Sequence, residues 1–181
     1  MFNFMTLNGF FKGPNGDLGW HPHNSGDDEK EYALNNANSA HTLVFGRITY
    51  QMMAQYWPSP DAASQNPEMA KSMNSSDKIV FSTTLDQAVW QNTQLIKGDL
   101  IEEIKKLKQQ PGNDLTILGS GAIVSQLAEA GLIDHYEIML DPIAIGSGTP
   151  VFNGIKKQLH LKLVHSRTFK SGIVLLSYQP A

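Results

Sequence analysis

The sequence predicts an α/β protein: a mainly parallel central sheet with flanking helices and antiparallel C-terminal strands. Three observations predict it. Twice a β-branched and apolar run stops at a glycine and passes directly into helix-like sequence, at Leu43-Val44-Phe45-Gly46-Arg47-Ile48-Thr49-Tyr50 and at Leu115-Thr116-Ile117-Leu118-Gly119-Ser120-Gly121-Ala122-Ile123-Val124. Up to Gly131, strand-like and helix-like stretches alternate, as they do where crossover helices join parallel strands. Beyond Gly131 only strand-like stretches follow, the pattern of an antiparallel edge.

Residues 1–7 read as a first strand, and residues 8–25 as a loop rich in glycine, proline and asparagine. A loop that long inside a compact domain is usually functional or mobile. Residues 27–38 form a helix whose acidic first turn suits the helix dipole and whose Ala33, Leu34 and Ala37 recur at apolar spacing. A strand at 41–45 leads into a helix at 47–55, residues 57–67 read as loop, residues 68–73 as a short helix, and residues 78–81 as a strand ending at Ser82-Thr83-Thr84. Asp99 followed by Glu102 resembles a capping box for a helix through Leu107, stopped by Pro111-Gly112. A buried strand at 115–118 precedes a helix at 121–130 with Gly131 as its cap. Strands at 133–140, 159–169 and 173–178 complete the chain, the last two joined by a hairpin turn at Ser171-Gly172. No internal repeat or linker interrupts the 181 residues, which read as one domain.

Composition excludes several classes. With 41% hydrophobic and 17% charged residues the chain is neither disordered nor fibrous, and a net charge of -3 gives no general attraction to nucleic acid. No apolar run approaches the ~20 residues of a membrane span, and Met1-Phe2-Asn3-Phe4-Met5 lacks the pattern of a secretory leader, so a cytoplasmic protein is expected. Cysteine is absent, which removes disulfides, thiol nucleophiles and Cys-ligated zinc. His21 and His23 are too sparse a pair for a metal site without a third ligand, and no metal is expected.

The two glycine joints are the candidate binding sites. A glycine there lets backbone approach a ligand closely, and the following helix presents unpaired N–H groups and a positive dipole end. That arrangement suits nucleotide phosphate at the carboxyl ends of parallel strands. The plain alternatives are a tight turn with Arg47 in a structural ion pair, close helix packing at Gly119-Ser120-Gly121, and a capped turn at Ser82 and Thr83.

These residues, with Gly16-Asp17-Leu18-Gly19-Trp20, Val80-Phe81-Ser82-Thr83-Thr84-Leu85, Gly131-Leu132-Ile133-Asp134 and Gly146-Ser147-Gly148-Thr149-Pro150-Val151-Phe152, resemble in order the dihydrofolate reductase-like superfamily. The branch they resemble is the C-terminal reductase domain of the bifunctional riboflavin-biosynthesis deaminase/reductase. The resemblance implies a dihydrofolate reductase-like fold and NADPH-dependent hydride transfer. It implies that Phe45, Gly46, Arg47 and Thr49 form a phosphate-binding helix start, with Ser82 and Thr83 near the adenosine 2′-phosphate. Gly119, Ser120, Gly121 and Ala122 would lie against the pyrophosphate and nicotinamide ribose, and Leu7, Asn8 and Gly9 would face the nicotinamide. His135 stands where relatives commonly carry a glutamate associated with the pyrimidine substrate, and Thr83 where many carry arginine. With 181 residues and no cysteine for the metal, no zinc deaminase partner domain is expected within this sequence.

Reducing a C=N bond also needs a proton at nitrogen. In dihydrofolate reductases an acid on the first long helix serves, and here Asp27, Asp28, Glu29 and Glu31 crowd that helix start. Asp28 and Glu31 share a face at i,i+3 and are the candidate proton donors, with Trp20 as a candidate wall for a planar substrate. The expected protein is thus an NADPH-dependent reductase of a pterin- or pyrimidine-type heterocycle or imine, forming a homodimer through its C-terminal edge strands. A non-catalytic nucleotide-binding module and an FMN-binding protein are the alternatives.

Overall fold

The computed structural model describes residues 1–21, 26–39 and 41–181. In chain order its elements are β1 (Phe2–Thr6), β2 (Phe10–Lys12), α1 (Asp27–Asn38), β3 (His41–Gly46), α2 (Arg47–Tyr56), α3 (Pro60–Gln65), α4 (Pro67–Ser75) and β4 (Lys78–Phe81). There follow β5 (Thr93–Ile96), α5 (Leu100–Lys108), β6 (Asp114–Ile117), α6 (Gly121–Glu129), β7 (Tyr136–Asp141), β8 (Thr149–Pro150), β9 (Leu161–Thr168) and β10 (Val174–Pro180). The chain packs into two compact units, one of Met1–Lys30 with Gly121–Ala181 and one of Glu31–Ser120.

The Glu31–Ser120 unit carries a four-stranded sheet in the order β5-β4-β3-β6, every pair parallel. Parallel strands need crossovers, and α2 to α4 supply one between β3 and β4, α5 another between β5 and β6. Burial on both faces explains the unbroken apolar runs: Leu43, Val44 and Phe45 of β3 and Val80 of β4 are almost fully enclosed. Leu43, Phe45 and Val80 pack with Tyr50, Met73 and Trp90 into one cluster, each large side chain contributing about 1.5–3 kcal/mol on burial. The Tyr50 hydroxyl accepts the Trp90 backbone N–H at 2.9 Å, and Trp90 Nε1 donates to Asn74 Oδ1 at 2.7 Å.

Lys78 opens β4 and is buried, an unusual place for an ammonium. Its Nζ donates to the carbonyls of Met73 at 2.9 Å and Asn74 at 3.3 Å and to that of Ser76. These carbonyls end α4, where the helix dipole is negative, so the lysine acts as a side-chain cap.

Most of this unit follows the sequence reading, including the α5 cap, where Asp99 Oδ1 accepts the Glu102 N–H at 3.0 Å. Two corrections arise. Residues 57–67, read as loop, contain α3, a six-residue helix that buries Ala62 and is opened by Ser59, whose hydroxyl accepts the Ala62 N–H at 3.2 Å, with Pro60 in the first turn. The helix is too short to show apolar periodicity, so only the Ser-Pro cap marked it. β5 was also missed, because Thr93-Gln94-Leu95-Ile96 pairs one side only and carries two polar residues.

The other unit holds a sheet in the order β1-β7-β10-β9, in which β1 runs parallel to β7 and β10 antiparallel to both β7 and β9. The β9–β10 turn matches the expected hairpin: Phe169 N–H meets the Ile173 carbonyl at 2.9 Å, and Gly172 takes φ 89°. Gly131, at φ 66°, ends α6 as expected, with Leu132 N–H on the Leu127 carbonyl at 2.9 Å. β2 pairs with β8, two short strands inside segments read as loop. Gly148 makes that pairing possible, since a Cβ there would fall 2.2 Å from the Lys12 carbonyl oxygen. Among the described residues, no helix is long and apolar enough to cross a membrane.

Candidate functional site

In the Glu31–Ser120 unit the carboxyl ends of the parallel strands bring together most of the residues singled out by the glycine joints. Gly46 ends β3 opposite Phe81 of β4, and Phe81 lies opposite Ile96 of β5. On the other side of β3, Leu118 N–H reaches the Val44 carbonyl at 3.3 Å, which carries the β6 chain to the same edge. Open sheets of this kind bind ligands at this end. Gly46 caps α2 without a side-chain hydrogen bond, so the first-turn N–H groups keep no side-chain cap. Arg47 is exposed there, its Nη1 donating to Gln51 Oε1 at 3.2 Å. Thr49 is 2% exposed, and its Oγ1 is buried without a hydrogen-bond partner. An orphaned hydroxyl beside uncapped N–H groups is what an anionic phosphate would satisfy, so these residues fit the nucleotide that the glycine joints suggest. Phe45 contributes packing from the core side.

At the end of β6, Gly119 and Ser120 both adopt left-handed conformations, with φ 62° and 69°. For Ser120 this costs about 1–3 kcal/mol, a strain that tends to mark ligand sites. Ser82, by contrast, is committed locally: its hydroxyl accepts the Thr84 and Leu85 N–H groups at 3.2 and 2.9 Å. Thr83 is exposed beside it. The sequence reading missed Lys97, exposed at the end of β5, where Ser82 N–H meets the Ile96 carbonyl at 3.1 Å. It was hidden because the strand it ends was not recognised.

In the other unit the parallel β1–β7 pair ends at Thr6 opposite Asp141. Leu7, Asn8 and Gly9 follow at once and are held firmly. Leu7 N–H bonds the Ile143 carbonyl at 2.7 Å, and Asn8 exchanges bonds with the Ile145 backbone at 2.7 and 3.2 Å. Leu7 nevertheless points its side chain to solvent, 65% exposed. Gly121 and Ala122 open α6 in this unit; a Cβ on Gly121 would lie 2.9 Å from the Phe11 ring, so close packing already accounts for that glycine.

The acidic helix start divides by environment. Glu29 is 2% exposed and accepts the Ser171 hydroxyl at 2.8 Å. Asp28 accepts the Lys170 N–H at 3.2 Å through Oδ2, while its Oδ1 is buried without a partner. Glu31 is exposed. Trp20 likewise has a buried Nε1 with no partner. His135 lies elsewhere: it precedes β7, its carbonyl takes the Met1 ammonium at 2.7 Å and its ring approaches Glu137 at 3.6 Å. That is the amino end of a strand whose carboxyl end is Asp141, roughly 20 Å away at ~3.3 Å per residue. His23 lies outside the described residues. Asp141 instead holds His21, a partner 120 positions away that no local pattern announces.

A shallow depression of about 490 Å³, lined by Thr42, Asp77, Asn92 and Gln110 among others, lies at the amino ends of the parallel strands. No helix N-terminus of α2 points there, and we place the site at the carboxyl ends.

The model of the RibD C-terminal domain family matches residues 1–175. The chain belongs to the RibD C-terminal domain family. The uncharacterized protein YyaP of Bacillus subtilis (strain 168) is 30% identical over 174 residues, which cover 96% of this chain and 90% of YyaP. Among solved structures, a Shewanella sp. PV-4 protein provisionally assigned to riboflavin biosynthesis is 23% identical with a TM-score of 0.75, covering 99% of this chain and 97% of that one. Dihydrofolate reductase from Enterococcus faecalis, complexed with NADP(H) and RAB-propyl, is 17% identical with a TM-score of 0.66, over 99% and 94% of the two chains. The chain therefore has the dihydrofolate reductase-like α/β fold that the resemblance of its ordered motifs implies.

Proposed function

We propose that the protein is an NADPH-dependent reductase acting on a planar pterin- or pyrimidine-type heterocycle or imine. The observation that carries this reading is the phosphate-shaped edge of the parallel sheet: an uncapped α2 start, the orphaned Thr49 hydroxyl and the exposed Arg47 guanidinium. Family membership and a fold shared with a reductase complexed with NADP(H) support it. Arg47, Thr49 and the N–H groups of α2 would hold the cofactor phosphates, with Gly119 and Ser120 against the pyrophosphate. Thr83 and Lys97 would meet the 2′-phosphate, the lysine offering a cation where relatives commonly have arginine at the Thr83 position. Leu7, Asn8 and Gly9 would receive the nicotinamide, whose reduced form supplies the hydride. Asp28, which keeps one carboxylate oxygen unpartnered, would accept an N–H of the heterocycle, and Trp20 would wall the ring.

Titration with NADPH and with NADH, followed by nicotinamide fluorescence, tests this. NADPH should bind more tightly, and Arg47→Ala should weaken it about 10- to 100-fold, the loss of one charged hydrogen bond. Absence of binding for either nucleotide at millimolar concentration overturns the proposal, and a yellow purified protein would indicate FMN instead.

A further inference from the structure

His21 and Asp141 form an orienting dyad. His21 Nδ1 lies 3.0 Å from Asp141 Oδ1 and 3.2 Å from Oδ2, and the Asp141 side chain is fully buried while that of His21 is 17% exposed. A second constraint comes from Phe4, whose ring centroid is 4.1 Å from that of the imidazole, and a third from the backbone, where His21 N–H bonds the Leu18 carbonyl at 2.9 Å. A buried carboxylate on Nδ1 fixes the ring's orientation and tautomer, leaving Nε2 on the opposite edge, where it bonds no described residue. The dyad stands at the carboxyl end of the parallel β1–β7 pair, because Asp141 is the register partner of Thr6, and Leu7 to Gly9 follow Thr6 directly. A fully buried aspartate on one ring nitrogen, and a second nitrogen that bonds no described residue, at the carboxyl end of the β1–β7 pair, set this histidine apart from one that only fills space.

We propose that His21 is the proton donor of the reduction and that Asp141 is its positioning residue. The step rests on the reductase reading above. As hydride from the dihydronicotinamide adds to the carbon of a C=N bond, the π pair moves to nitrogen and that nitrogen takes the proton from His21 Nε2. The imine becomes an amine, the dihydronicotinamide is oxidised, and His21 is left neutral with its Nδ1–H still on Asp141. The partly exposed ring then regains its proton from water. Asp28 keeps a binding role, holding the heterocycle by an N–H while the imidazole supplies the acid.

The test uses the full chain and two C=N probes, 7,8-dihydropterin and 1-pyrroline, with three measurements. Long-range 1H–15N imidazole spectra should show neutral His21 protonated on Nδ1, and Asp141→Asn should disturb that tautomer. His21→Asn, whose amide can still donate to Asp141, should bind NADPH within about twofold of wild type. It should slow single-turnover hydride transfer about 10²- to 10⁴-fold and abolish the pH dependence due to the acid; among the described residues the charged group facing His21 is Asp141, and its ring neighbours Phe4 and Trp20 are uncharged. The proposal is overturned by a neutral His21 protonated on Nε2, by a variant rate within about threefold of wild type, or by a wild type that binds NADPH and reduces neither probe. Failure of the wild type to bind NADPH overturns the reductase reading itself, and this step with it.

Discussion

The Nζ of Lys78 lies 4.5 Å from the ring centroid of Trp90, so the buried ammonium at the start of β4 rests on the indole face while it caps α4. Cation–π contact and three carbonyls soften the loss of water but do not replace it. Burial lowers the lysine to about 8 from 10.5.

The sign of the pH effect follows. Unfolded chains keep this proton up to about pH 10.5, whereas the folded protein releases it near 8. Between those values the unfolded state binds more protons, so stability from this group rises with pH, by up to about 3 kcal/mol. Below pH 8 the penalty of the buried charge is fully present. Urea midpoints at pH 7.5 and 10 should therefore rise in wild type relative to Lys78→Met; a parallel response in the two proteins would refute the assignment.

Thr49→Val separates stability from binding. The hydroxyl has no partner, so its removal should leave the urea midpoint unchanged or raise it slightly, since an unsatisfied buried polar group costs about 1–3 kcal/mol. NADPH affinity should fall about 5- to 30-fold, one hydrogen bond to a charged phosphate, and Thr49→Ser should retain it. A destabilised Val variant with normal NADPH affinity would mean that the hydroxyl serves the fold.

Two glycines should respond differently to a single methyl. At Gly148 the added carbon would meet the Lys12 carbonyl oxygen at 2.2 Å, backbone that cannot move without breaking the β2–β8 pair. At Gly121 it would meet the edge of the Phe11 ring at 2.9 Å, which can turn aside. Gly148→Ala should cost about 3 kcal/mol or more and Gly121→Ala about 1–2 kcal/mol, measured by thermal and urea unfolding.

The fold was legible where burial imposes a period. The apolar runs at β3, β4 and β6, each followed by a glycine or hydroxyl residue, announced parallel strands, and the change of pattern beyond Gly131 announced the antiparallel ones. Elements too short to show a period were not legible: β2, β8, α3 and β5. The candidate site at the sheet edge could be read because its residues cluster in sequence at Gly46 to Thr49 and at Gly119 to Ser120. The His21–Asp141 dyad could not, because a loop residue and a strand-end residue 120 positions apart meet only in the folded chain.

Leu163 and Val164 of β9 are 49% and 44% exposed on a strand paired along one side only. We propose that a second copy of the chain covers them, giving a homodimer. Sedimentation equilibrium should report a dimer in wild type and a shift toward monomer in Leu163→Lys; a monomer at every concentration would refute it. Lys162 and Arg167 on the same strand favour covering its face over joining two edges, since an antiparallel pairing about the strand centre would set like charges opposite each other.

The order in which the chain leaves the ribosome matters for a molecule in which Phe2 pairs with Glu137. All four strands of the Glu31–Ser120 sheet are synthesised before β7 exists, and that unit can assemble while translation continues. β1 must wait, unpaired, for a partner more than a hundred codons downstream, and the sheet is complete only when β9 and β10 have followed β7 out of the ribosome. Contacts this distant in sequence form slowly, so nascent Phe2, Phe4 and Met5 are the residues for which a chaperone would have most use.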